Sequence, residues 1–187
     1  MRHLLAIVLF AASVWAPLAG AACPDLLNHQ FTTLQGGSLD LCKHAGKPIL
    51  VVNTASKCGY TPQFEKLEAM STRLRDKLLV VGFPSNDFNQ ELATNEEIAR
   101  FCKLTYAVEF PMVEKASVTG PGAMPFYRQL RAATGQAPQW NFYKYLIAPD
   151  GKTVYAFGAA VEPDSRELMG KLDPNTLTSS TTNGKSS

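Results

Sequence analysis

Paired cysteines, basic runs and long apolar stretches are all scarce in this chain, and each shortage removes a class of function. Among 187 residues there are four cysteines, Cys23, Cys42, Cys58 and Cys102. None stands close enough to another to form a zinc knuckle or a C-x-x-C redox pair, so neither a metal centre nor an ordinary dithiol isomerase is expected, and no cofactor is called for. Charged residues make up only 18%, and 18 Lys+Arg against 16 Asp+Glu leave a net charge of +2 with no basic cluster. A nucleic-acid binder that works by neutralising phosphates is thereby excluded. Histidines number three. His3 lies at the very start, and His29 and His44 fall in or beside the first predicted hairpin, so a Cys–His hydrolase lacks its base.

What the chain does have is 45% hydrophobic residues, enough to pack one domain of this length but tight for two. Residues 1–22 read as a cleavable export signal. Arg2 supplies the positive start, Leu4 to Trp15 the apolar stretch, and Pro17 to Ala22 the small-residue cleavage region. An uncleaved anchor is the competing reading, against which Pro17 cuts the stretch short of the ~20 residues that cross a bilayer. A lipoprotein with an acylated Cys23 is the other, against which Gly20 stands where such sequences usually carry Leu. Export places the cysteines in an oxidising compartment, periplasmic or secreted, where disulfides persist.

From residue 23 to 173 the pattern is that of one domain. Asn28 to Thr33 and Ser38 to Leu41 flank Gln35-Gly36-Gly37 and predict a β-hairpin. Lys47 to Ala55 and Leu78 to Phe83 are continuous apolar runs rich in β-branched residues, as in strands buried on both faces. Between them, Thr61 as N-cap and Pro62 at the first position predict a helix whose face runs through Phe64, Leu67, Ser71 and Leu74. Strand, helix, strand is a right-handed βαβ unit with a parallel pair. Thr94-Asn95-Glu96-Glu97 is a capping box opening a helix through Ile98, Phe101 and Cys102. Phe110 to Val118 is expected as a strand, Pro125 to Thr134 as a helix closed by Gly135, Phe142 to Ala148 and Thr153 to Phe157 as a hairpin, and Pro163 to Leu172 as a final helix. The tail 174–187, rich in Ser, Thr, Asn and Gly, is expected to be disordered. These elements predict an α/β domain with the thioredoxin-like fold: a central mixed sheet, helices on both faces and an N-terminal β-hairpin.

Cys58 sits where a reactive thiol belongs, after a buried strand and just before a helix, where free amides and the helix dipole attract an anionic sulfur. The segment around it, Gly46-Lys47-Pro48-Ile49-Leu50-Val51-Val52-Asn53-Thr54-Ala55-Ser56-Lys57-Cys58-Gly59-Tyr60-Thr61-Pro62-Gln63, resembles the signature of the glutathione peroxidase family in its cysteine form. Gly82-Phe83-Pro84-Ser85-Asn86-Asp87-Phe88-Asn89-Gln90-Glu91 is similar to the family's second motif, and Trp140-Asn141-Phe142 to its third, in order between about Leu26 and Leu172. The resemblance implies a thiol peroxidase in which Cys58 is held in a tetrad with Gln90, Trp140 and Asn141, groups able to donate hydrogen bonds to a thiolate and to peroxide oxygens. It departs from the family at Ser85, Asp87, Asn89 and Leu92, where Cys, Gln, Gly and Pro are usual. Asn tolerates the positive φ of that turn, and Asp87, if aimed inward, would set a negative charge near the thiolate.

The short stretch between Gly120 and Trp140 resembles the compact, monomeric branch of the family, many of whose members use thioredoxin-type dithiols in preference to glutathione. The implied reaction consumes hydrogen peroxide or an organic hydroperoxide, as in an oxidative-stress response, and passes through a cysteine sulfenic acid. A second thiol, from Cys102 or from an external reductant, then resolves it. Cys102 stands one residue upstream of the resolving Cys of plant-type members, and it also fits as a small core residue on the face of Ile98. Cys23 and Cys42 flank the first hairpin, away from these motifs, and form a candidate structural disulfide, against free thiols or an acylated Cys23. The competing functions are a thioredoxin-like thiol-disulfide oxidoreductase or copper chaperone, which needs a second Cys near Cys58, and a non-catalytic binding module.

Overall fold

A computed structural model describes residues 22–172 and 174–177; the segment expected to be an export signal and the rest of the tail lie outside the described residues. Chain reversal at Gly36, whose φ of 80° suits glycine, forms the antiparallel hairpin of β1 (Gln30–Thr33) and β2 (Gly37–Asp40). The two apolar runs become β3 (Ile49–Thr54) and β4 (Leu79–Pro84), every residue of both buried, paired in parallel and joined by α1 (Gln63–Arg73). A second hairpin of β5 (Lys144–Ile147) and β6 (Val154–Phe157) adds to the other edge of β3, giving the order β4-β3-β5-β6. The chain has the thioredoxin-like fold, with a mixed sheet between layers of helix.

The period of two along each strand divides the core in two. On one face, Leu50, Val52 and Leu146 meet Phe64, Leu67 and Met70 of α1, Ile98 and Cys102 of α2 (Asn95–Tyr106), and Leu168 of α4 (Arg166–Met169). On the other, Ile49, Val51, Val81 and Tyr145 meet Phe126, Tyr127 and Leu130 of α3 (Pro125–Thr134) together with Phe31 and Leu39 of the first hairpin. The capping box is present, Thr94 accepting from the Glu97 amide while the Glu97 carboxylate takes the Thr94 amide, and Gly135 closes α3 in the left-handed region.

Three expectations are corrected. Phe110 to Val118 is not a strand: only Met112 and Val113 pair, in single bridges to Gly82 and Thr33. The Val113, Glu114 and Ala116 amides still bond backbone carbonyls of β4 and the first hairpin, but side chains interrupt the ladder, Asn95 Oδ1 receiving the Lys115 amide and Asp87 Oδ2 the Val118 amide. Met112 passes so close over β4 that a Cβ at Gly82 would collide with its thioether, so any larger residue there would force Met112 to move. The final helix is only the four residues of α4, with Ser165 as its N-cap. The tail begins with one helical turn, α5 (Pro174–Leu177), whose Thr176 is buried, where disorder was expected.

Candidate active site

Cys58 lies in a tight turn between the end of β3 and the start of α1. Its amide donates to Thr61 Oγ1 at 3.0 Å, the Thr61 amide returns to the Cys58 carbonyl at 3.0 Å, and the Thr61 hydroxyl donates to the Ala55 carbonyl at 2.9 Å. Thr61 therefore does not cap α1, as its sequence position suggests. The helix opens one residue later, after Pro62, and the threonine fastens the cysteine turn instead. The turn leaves the Tyr60 amide free to donate to Cys58 Sγ at 3.4 Å, and Cys58 as a residue is 8% exposed. His29 is engaged elsewhere: it bonds Gln129 and stacks beside Phe31 on the opposite core.

Gln90 approaches from the loop after β4. Its carbonyl accepts the Lys57 amide at 2.9 Å, next to Cys58, and its side-chain Oε1 accepts Asn141 Nδ2 at 2.9 Å. The positive φ of Asn89, 56°, turns the chain so that Gln90 faces this way, and the neighbouring Glu91 anchors the same loop by accepting the Ser56 amide at 3.1 Å and the Leu92 amide at 2.8 Å through one oxygen. Burial raises the Glu91 carboxyl above the ordinary carboxylate range, against the lowering effect of those hydrogen bonds and of Lys115. Asp87, replacing the family's Gln, faces away from the thiol. Its carboxylate binds Ser117, Val118 and Thr119, so its charge serves the 117–119 loop.

Trp140 and Asn141 enter ahead of β5. Asn53 of β3 holds them on both sides, donating from Nδ2 to the Trp140 carbonyl at 3.0 Å and accepting the Phe142 amide on its backbone carbonyl at 2.6 Å. Phe142 pivots at a φ of 61°, a left-handed conformation costing about 1–3 kcal/mol for a residue of this bulk, and for this reason β5 begins two residues later than its apolar run. Trp140 is 42% exposed and tilts against Phe88, ring centroids 5.4 Å apart, making an aromatic rim. Cys58, Gln90 and Asn141 are thus drawn into one loop cluster, with Trp140 beside it.

Cys102 is in the middle of α2, buried in the same apolar cluster as Cys58. Burial, and secondarily the charge of Glu91, pushes its thiol up to about 12. As folded it is a poor nucleophile. Cys23 and Cys42 are joined by a disulfide with Cα atoms 5.5 Å apart, at the far side of the hairpin. Among the described residues no cluster of three metal-binding side chains occurs. Asn53, Thr61, Glu91 and Lys144 organise the site yet were not foreseen. The one available signal was Lys144 itself, a charge in the middle of a run otherwise suited to burial on both faces.

The family model for glutathione peroxidase matches residues 26–131, which takes in Cys58 and Gln90 and stops short of Trp140 and Asn141. Glutathione peroxidase 7 of Homo sapiens is 41% identical over 173 residues, covering 86% of this chain and 92% of its own. Hydroperoxy fatty acid reductase gpx1 of Synechocystis is 40% identical over 143 residues, 70% of this chain and 85% of its own. Among solved structures, that of Trgpx in its apo form superposes with a TM-score of 0.61 at 31% identity, over 79% of this chain and 92% of that one. The chain belongs to the glutathione peroxidase family and is a thiol-dependent peroxidase.

Proposed function

We propose that this is an exported peroxidase in which Cys58 reduces hydrogen peroxide and organic hydroperoxides. The thiolate attacks the terminal peroxide oxygen, the O–O bond breaks, and the departing oxygen takes a proton to leave as water or an alcohol, with Cys58 left as a sulfenic acid. Gln90, Trp140 and Asn141 steady the sulfur and the developing charge on the departing oxygen. The observation that supports this reading is the continuous set of bonds from Lys57 to Gln90 to Asn141, which gathers the three motifs around a sulfur already taking an amide hydrogen bond. The Phe88–Trp140 rim offers apolar surface to an organic hydroperoxide, and one relative's name specifies a fatty-acid substrate.

Resolution follows when a second thiol attacks the sulfenic sulfur, forming a disulfide and releasing water. Cys102 takes that role only if α2 unwinds locally, since a disulfide needs Cα atoms within ~7 Å and its thiol is buried as folded. A thioredoxin-type dithiol or glutathione completes the cycle, and the protein acts as a monomer in the periplasm or outside the cell, after removal of residues 1–22. A Cys23–Cys42 disulfide suits such an oxidising compartment.

The test is peroxide consumption by the exported protein with glutathione and thioredoxin compared side by side. Cys58→Ser is expected to abolish turnover while keeping the fold, because a hydroxyl offers no accessible anion at neutral pH. Retention of more than a few per cent of the rate would move the chemistry to another thiol. In Cys102→Ser, loss of thioredoxin-supported turnover with an intact first peroxide-reducing step marks Cys102 as the resolving thiol; unchanged turnover assigns resolution to an external one.

A further inference from the structure

Lys144 is fully buried in the middle of the sheet, opposite the apolar Val52 of β3 and Phe157 of β6, a place where a charge is costly to hold. Its ammonium donates to the Phe142 carbonyl at 2.7 Å and, more weakly, to the Ala159 carbonyl at 3.4 Å. The Ala159 carbonyl also receives Gln63 Nε2, at 2.8 Å, from the first turn of α1. The lysine therefore ties the left-handed pivot at Phe142 to the segment after β6 and, through it, to the helix that follows Cys58.

From this we propose that Lys144 is a positioning residue for the peroxidase reaction: by holding the Phe142 carbonyl it keeps Asn141 aimed at Gln90. The inference rests on the reading of Asn141 as a member of the catalytic cluster. Asn53 clamps the turn from one strand, through the Trp140 carbonyl and the Phe142 amide, and Lys144 clamps it from the other side through the Phe142 carbonyl. The three residues from Trp140 to Phe142 are thus bonded through their backbone at each end, leaving the Asn141 side chain free for its 2.9 Å bond to Gln90. Burial lowers the Lys144 ammonium to about 7, with Glu162 the charge that opposes the shift. A group held at that expense in a position suited to an aliphatic side chain is accounted for by the carbonyls it fixes.

The experiment is a double-mutant cycle read by single-turnover oxidation of the reduced, full-length protein with hydrogen peroxide, which needs no reductant. Lys144→Met keeps length and apolar packing and removes both hydrogen bonds. It is expected to slow Cys58 oxidation about tenfold when Asn141 is present and by less than about twofold in an Asn141→Ala background, because misplacing a positioned group costs nothing once that group is gone. An equal loss in both backgrounds, or none in either, overturns the proposal. Should Lys144→Met fail to fold, Lys144→Gln, which retains an N–H donor on a shorter stem, carries the same cycle: a loss of about threefold that vanishes with Asn141→Ala supports it, and a loss that persists overturns it. If Asn141→Ala alone oxidises at the wild-type rate, the reading of the catalytic cluster falls, and this inference with it.

Discussion

The two faces of the central sheet are built to different standards. The face covered by α3 and the first hairpin is an aromatic core in which Phe31, Phe83, Phe126, Tyr127 and Tyr145 meet edge-on or tilted with centroids 5.2–6.1 Å apart, and a disulfide pins its outer layer. The face covered by α1, α2 and α4 holds both free thiols, the buried carboxyl of Glu91 and the buried ammonium of Lys144. Among the described residues, polar atoms left without partners occur on both sides: Gln63 Oε1 and Asn141 Oδ1 near the cysteine and Trp140 loops, and the Tyr127 hydroxyl within the aromatic face. One face supplies stability, and the other uses some of it to hold groups that water would prefer to solvate.

The largest effect expected on that contrast comes from Phe126→Ala. Phe126 is fully buried and touches the rings of His29, Phe31, Phe83 and Tyr127, so its loss is expected to cost about 3–5 kcal/mol in urea unfolding. The rate at which the remaining folded protein is oxidised by peroxide is expected to stay within about twofold, since its contacts lie on the face away from Cys58. A parallel fall in both quantities would mean that the two faces are not separable.

Opening the disulfide comes next. Replacing Cys23 and Cys42 together by Ser is expected to remove roughly 3 kcal/mol, the chain-entropy value for a loop of this size, again without changing Cys58 oxidation. Mass mapping of the non-reduced exported protein checks the premise, because a free Cys42 ends it.

Most of the aromatic face was legible in sequence, and less of the thiol face was. Phe126 to Leu130 and the strand runs declare their burial by period alone, and Cys58, Gln90, Trp140 and Asn141 stand in strings distinctive enough to be read without coordinates. What holds those residues in place was not legible, since it depends on side chains meeting backbone across the chain. Thr61 looks like an N-cap because threonine before Pro62 usually is one, yet its hydroxyl finds Ala55 first. The expected strand after Phe110 is reduced to single bridges where Asn95 and Asp87, distant in sequence, take the Lys115 and Val118 amides and interrupt the pairing. Lys144 stands out in sequence only as a charge within an apolar run, and it takes the pairing of β5 between β3 and β6 to show that the charge itself is buried.

The smallest expected effect concerns Glu91, and it separates the two faces by charge alone. Its folded-state carboxyl lies above the unfolded value, chiefly through burial, so the native chain keeps this proton over a pH interval in which the unfolded chain has lost it. Stability from this group is therefore fully present below the ordinary carboxylate range and is lost as pH rises through the raised value. Glu91→Gln removes the titration and keeps the structure, because the Ser56 and Leu92 amides both bond to the one oxygen, Oε1, that glutamine retains. Urea midpoints between about pH 4 and pH 8 are expected to show wild type losing ground to the variant as pH rises, by about 1 kcal/mol or less, with peroxide oxidation of Cys58 within about twofold. The same substitution removes the lesser of the two causes that raise Cys102, so its thiol is expected to titrate lower in the variant while burial keeps it above a free cysteine. If wild type instead gains on the variant as pH rises, the hydrogen bonds from Ser56 and Leu92, with the weaker attraction to Lys115, outweigh burial, and the thiol face carries its carboxylate as a stabilising group.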